Sequence, residues 1–112
     1  MVFLSFLHPT NSNLENRISF ISNNVLVNDT TIAANTTGTY TATQDCAIIA
    51  FLASKGGYAS TITLNGIIIA SCNNFDSTNF VTIGQTIYLK KGQTVSLKAS
   101  KELSLTYKVL AL

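Results

Sequence analysis

From Gly38 to the end of the chain, turn-forming residues recur about every 8–12 residues, the spacing of closely packed strands. The segments between the turns are rich in Thr, Val and Ile, whose branched side chains are stiff at χ1 and favour pleated backbone. None carries a capped apolar stripe of helical period. The sharpest signal is Asn65-Gly66, because both central residues of a type I′ hairpin turn need positive φ. Before it, Tyr58–Leu64 alternates, with Ile62 and Leu64 opposed to Thr61 and Thr63; after it, Ile67–Cys72 reads as the returning strand. Further strands are expected at Ala47–Ala53, Phe80–Ile83, Thr86–Leu89, Thr94–Ala99 and from Leu103 to Leu110. A polar loop is expected at Asn73–Asn79 and a turn at Lys90–Gly92. The fold class is therefore all-β, an antiparallel β-sandwich of jelly-roll type.

Residues 1–37 read differently. They are Asn-rich and irregular, with apolar islands at Val2–Leu7, Ile18–Ile21 and Val25–Val27. The expected organisation is an irregular or extended N-terminal attachment segment over 1–37 and a β-sandwich head domain over 38–112.

Solubility rests on neutral polar groups. Charged residues make up 11% of the chain, against roughly 25% in an ordinary soluble domain, while Ser, Thr and Asn supply about a third. Such a surface loses little charge hydration when two copies meet, which suits self-association. A net charge of +2 is too mild for a nucleic-acid partner. Lys90, Lys91, Lys98, Lys101 and Lys108 gather in the last quarter. They read as solubilising residues on turns and strand edges, with attraction to an anionic cell-surface polymer as the alternative. No stretch reaches the ~18 apolar residues of a membrane helix, so no membrane insertion is expected. The apolar opening Met1–Leu7 lacks a basic flank and a cleavage pattern and is expected to be mature chain.

The informative anomaly is the loss of alternation. In a two-layer sandwich one face of each strand meets the core and the other meets water. Along Leu103–Val109, Leu103, Leu105, Tyr107 and Val109 share one face, while Leu110 and Leu112 extend the polar face with apolar groups. In Cys46–Ser54, Ala47, Ile49, Phe51 and Ala53 lie on one face and Ile48, Ala50 and Leu52 on the other, so both are apolar. Ile67–Ile69 is likewise apolar on both sides. Burying one Leu or Ile contributes roughly 1.5–3 kcal/mol, so several left in water would form an adhesive patch. A neighbouring copy would cover it, with Ile48, Leu52, Leu110 and Leu112 as interface candidates. The alternative is that the N-terminal segment folds over these strands.

The residues for catalysis are thin. His8 is the one histidine, and Glu15, Asp29, Asp45, Asp76 and Glu102 are scattered singly. Lys55–Gly57 is too short for a phosphate loop and is expected to be a turn or bulge. Cys46 and Cys72 form no metal-ligand spacing and are expected to be buried free thiols, with a disulfide as the alternative. The expectation is a non-enzyme with no cofactor and no metal.

From Gly38 onward the chain resembles the jelly-roll head domains of bacteriophage virion proteins and, more distantly, the C1q/TNF-like trimeric jelly rolls. The resemblance rests on Gly38–Asp45 leading into an apolar strand, on Thr61–Gly66, on Ile87–Val95 and on the closing Leu105–Val109. It implies a homotrimer, with the last strand and the one after Gln44-Asp45 lining the three-fold axis, located on the phage particle. Members of the group serve as head fibres or decorations seated on a capsid or other virion protein, or as tail-fibre tips that bind a host cell surface. A chain beginning at Met1 is expected to have no room for a fibre shaft, which favours the first use. Phe3, Leu4, Phe6 and Leu7 are then candidate anchors to the virion, with a first sandwich strand as the other reading of Val2–Leu7. Asn73, Asn74, Phe75 and Asp76 are candidate exposed binding-loop residues.

Overall fold

Asn65 and Gly66 take φ of 53° and 77° in the computed structural model, which describes residues 24–112. This left-handed pair is open to Asn and Gly at little steric cost. It joins β4 (Ser60–Leu64) to β5 (Ile67–Cys72). Around that hairpin the other strands nest in pairs: β3 (Cys46–Ser54) with β6 (Val81–Leu89), β2 (Thr37–Thr41) with β7 (Thr94–Lys98), and β1 (Val25–Ile32) with β8 (Leu105–Ala111). Rolling this long hairpin up adds the pairs β3–β8 and β4–β7. The result is two four-stranded antiparallel sheets, a first sheet in the order β1-β8-β3-β6 and a second in the order β2-β7-β4-β5. That order is the jelly roll, and the described residues contain no helix.

The core lies between the sheets. Ile48 and Leu52 of β3, Leu105 and Val109 of β8, Ile62 of β4 and Val95 and Leu97 of β7 are all fully buried there. Three sequence expectations need correction. The sandwich takes in residues assigned to the N-terminal segment, because β1 starts at Val25 and pairs with β8. Phe80–Ile83 and Thr86–Leu89 belong to one strand, whose register with β3 runs unbroken from Val81 to Leu89. Ile48 and Leu52, expected at an interface between copies, lie in the core of a single chain. The continuous apolar run of β3 left its facing open. Pairing settles it, since Ile48 stands opposite the core residue Val109.

Four connections gather at one end of the sandwich, at residues 33–36, 55–59, 73–80 and 99–104. At the opposite end lie the connections at 42–45, 65–66 and 90–93, together with Asn24 and Leu112. The chain enters and leaves side by side, with the Ala111 amide donating to the Asn24 carbonyl at 2.8 Å. Truncating Leu97 to Ala in this core is expected to cost about 2–5 kcal/mol, read as a lowered midpoint in urea unfolding.

Candidate functional site

The two outer faces of the sandwich are chemically unlike. On the second sheet, cross-strand rows run Thr37–Lys98–Thr61–Ser71, Thr39–Ser96–Thr63–Ile68 and Thr41–Thr94. These are hydroxyl ladders with one aliphatic and one cationic member, and Thr41 and Thr94 share a 2.7 Å hydroxyl hydrogen bond. Such rows are at home in water.

The first sheet presents a different set. Its row nearest the entering chain is Val25–Leu110–Ala47–Tyr88, apolar across all four strands apart from the tyrosine hydroxyl. Next comes Lys108–Ile49–Thr86, with Lys108 held 3.4 Å from Asp29. Then follows Thr31–Thr106–Phe51–Gly84. Phe51 is 44% exposed. Its ring crosses Gly84, where an added Cβ would sit 3.6 Å away. Thus the outward face of β3 is Ala47, Ile49, Phe51 and Ala53, beside Leu110 of β8, while Leu112 stands 66% exposed just beyond the sheet. A shallow cavity of about 390 Å³ adjoins this corner, lined by Asp45, Tyr88, Leu89, Lys90, Gln93 and Leu112.

The loop end carries a second feature. Phe75 is 81% exposed, and its ring rests against Gly57, where an added Cβ would meet Phe75 Cδ1 at 3.3 Å. The loop that bears it is laced from within. The Ser54 hydroxyl accepts from the Asn74 amide and donates to the Tyr58 carbonyl, each at 2.8 Å. The amides of Gly56 and Gly57 donate to the carbonyls of Asp76 and Asn74. Asp76 Oδ1 accepts from the amides of Thr78 and Asn79, and Oδ2 accepts from Asn79 Nδ2. Asn74 Oδ1 accepts from the Asp76 amide and its Nδ2 donates to the Asn79 carbonyl. Of the four loop residues singled out in the sequence, Asn74 and Asp76 therefore turn their polar groups into the loop, while Phe75 points out. What the loop offers a partner is chiefly the rings of Phe75 and Phe80 on a fixed frame. Nearby, the Lys101 ammonium sits 4.8 Å from the Tyr58 ring centroid, a cation–π contact.

Other candidates disperse. The five lysines of the last quarter do not converge: Lys90 and Lys91 lie at the end where the chain enters, Lys98 on the second sheet, Lys108 on the first and Lys101 at the loop end. Strand direction separates what sequence brought near. Cys46 and Cys72 are buried free thiols at opposite ends of the sandwich, and burial pushes both above their ordinary pKa. Among the described residues no three His, Cys, Asp or Glu side chains gather as metal ligands would. Phe3, Leu4, Phe6 and Leu7 lie outside the described residues. Comparison with known proteins returned no matching family, no similar curated protein and no similar solved structure.

The Asp76 carboxyl is held below its ordinary value of 3.8 by the Thr78 amide first and then by Asn79. A depressed folded pKa means the loop gains order from this carboxylate fully above pH 3.8 and loses it as pH falls through the lower folded value. In an NMR titration the Asp76 carboxyl is expected to titrate below 3.8, with the Thr78 and Asn79 amide shifts following the same curve. An Asp76 that titrates with the ordinary carboxyls rules the frame out.

Proposed function

We infer that this chain is a non-enzymatic structural subunit of a bacteriophage particle. In this reading it is a small trimeric head fibre or capsid decoration, held to the virion by its N-terminal segment. The observation that carries self-association is the contrast between the two outer faces of one sandwich. Water accounts for the Thr, Ser and Lys rows of the second sheet, whose exposed apolar groups Ile67, Ile68 and Ile69 are confined to edge strand β5; it does not account for Ile49, Phe51 and Leu110 on the two central strands of the first. Both faces belong to the same chain and meet the same solvent, so composition as a whole does not explain the difference. Covering one Phe or Leu contributes roughly 1.5–3 kcal/mol, and a three-fold contact repeats each gain on every subunit. Placement on a phage particle rests on the resemblance of residues 38–112 to virion head domains, which likewise places β3 and β8 at the three-fold axis.

A second reading, a tail-fibre tip or receptor-binding module, is favoured by one observation. Phe75 and Phe80 are 81% and 63% exposed on a loop laced by its own hydrogen bonds. Because the loop's amide and carboxylate groups are engaged internally, its contact would be made by aromatic rings.

Light scattering during size-exclusion chromatography tests the assembly. The wild-type chain is expected to run at three times the 12.0 kDa subunit mass or a multiple of that trimer, and Phe51→Glu, which buries a carboxylate in the contact, is expected to stay folded and lose the three-fold species. A wild-type monomer at micromolar concentration defeats the reading. Attachment has its own test. A chain lacking Met1–Pro9 is expected to keep its oligomeric mass and to fail to join particles, and normal incorporation removes the anchor.

A further inference from the structure

A jelly roll has four edge strands, and three of these are blunted. β2 is only five residues long. β5 is broken by a bulge at Ile69, where the register with β4 slips. β1 has two such irregularities and carries Asp29. Each device discourages another chain from pairing there. The fourth edge has none of them. β6 runs nine residues in unbroken register with β3 and contains no charge, no proline and no bulge. Beyond the Val81 carbonyl, which accepts from the Cys72 thiol, its outer side therefore presents a straight row of backbone donors and acceptors.

The same flank is also the most apolar part of the surface. Of the eleven large apolar side chains exposed among the described residues, six lie on β5, β6 or the residue leading into β6: Ile67, Ile68, Ile69, Phe80, Val81 and Tyr88. An open edge with an apolar surround invites a strand.

We propose that β6 is a second self-association edge, pairing antiparallel with β6 of another copy about a two-fold axis at Gln85. The sequence of the strand supports this occupant over another. Antiparallel pairing about Gln85 sets Ile83 against Ile87, Thr82 against Tyr88 and Val81 against Leu89. Ile83–Ile87 and Thr82–Tyr88 are β-branched and aromatic cross-strand pairs, Gly84 falls against Thr86, and no like charges are opposed. Orientation follows from what comes next in the chain. Lys90 and Lys91 directly follow β6, so a parallel, in-register pair would stack them on their counterparts, while the antiparallel pair places them at opposite ends. A two-fold contact of this kind is self-complementary and closes after two copies. It merges two first sheets into one eight-stranded sheet, and it is separate from the outer face of that sheet. In a particle it joins one assembly to the next.

Disulfide trapping tests it. In the proposed pair Gln85 faces its own counterpart, with Cβ atoms about 4.5–5.5 Å apart. Gln85→Cys in the full chain, oxidised with copper phenanthroline, is expected to give a covalent dimer on non-reducing gels several-fold faster than Thr94→Cys, an exposed site on the second sheet. Adding Thr86→Lys, which puts two ammonium groups beside the seam, is expected to return the yield to the Thr94→Cys level. Circular dichroism confirms that each variant keeps its β signal. A folded Gln85→Cys that cross-links no faster than Thr94→Cys overturns the proposal, as does trapping that is indifferent to Thr86→Lys. Phe51→Glu separates the two contacts: it removes the face-to-face oligomer and is expected to leave Gln85→Cys trapping in place.

Discussion

The turn at Asn65-Gly66 is the constraint around which the rest of the molecule is wound. Two adjacent residues with positive φ reverse the chain in the least space a hairpin allows. Every later pairing is laid outside it, β3 on β6, then β2 on β7, then β1 on β8. Because side chains alternate along a strand, a slip of one residue in this hairpin would turn the core face of β5 outward. The bulge at Ile69 sits beside this turn. It absorbs the one extra residue in β5 before Ala70 meets Ile62 across the core face, so the error does not travel outward.

Much of this was legible in the sequence, for reasons that differ by element. The hairpin was readable because Asn-Gly names its own backbone geometry. The last strand was readable because Leu105, Tyr107 and Val109 alternate with Thr106 and Lys108. β1 was missed since Asn28–Thr31 has the composition of a loop; it is a strand because β8 offers it a ladder, a long-range fact with no local sign. β6 was split in two by Gly84-Gln85. The structure gives the glycine a different use, as the flat spot that receives the Phe51 ring.

The site was legible in kind and misread in detail. That strand β3 carries more apolar surface than one face can hide is visible from Ala47–Ala53 alone. Which face is hidden is not, since an unbroken apolar run has no parity. Only the match of Ile48 with Val109 decides it, and the decision exchanges Ile48 and Leu52 for Ile49 and Phe51 as the outward pair. The loop end shows the reverse case. Asn73–Asn79 looked like a polar surface, yet the carboxylate and amides at its heart are consumed in holding the loop, and the rings are left outside.

The side-by-side entry and exit of the chain at Asn24 and Ala111 gives the molecule a direction. Anything joined covalently at Leu112 emerges at the pole where the chain passes through Asn24. The crown of loops lies at the other pole. A peptide spliced between Ser77 and Thr78 would ride at the far tip, pointing away from whatever holds the root.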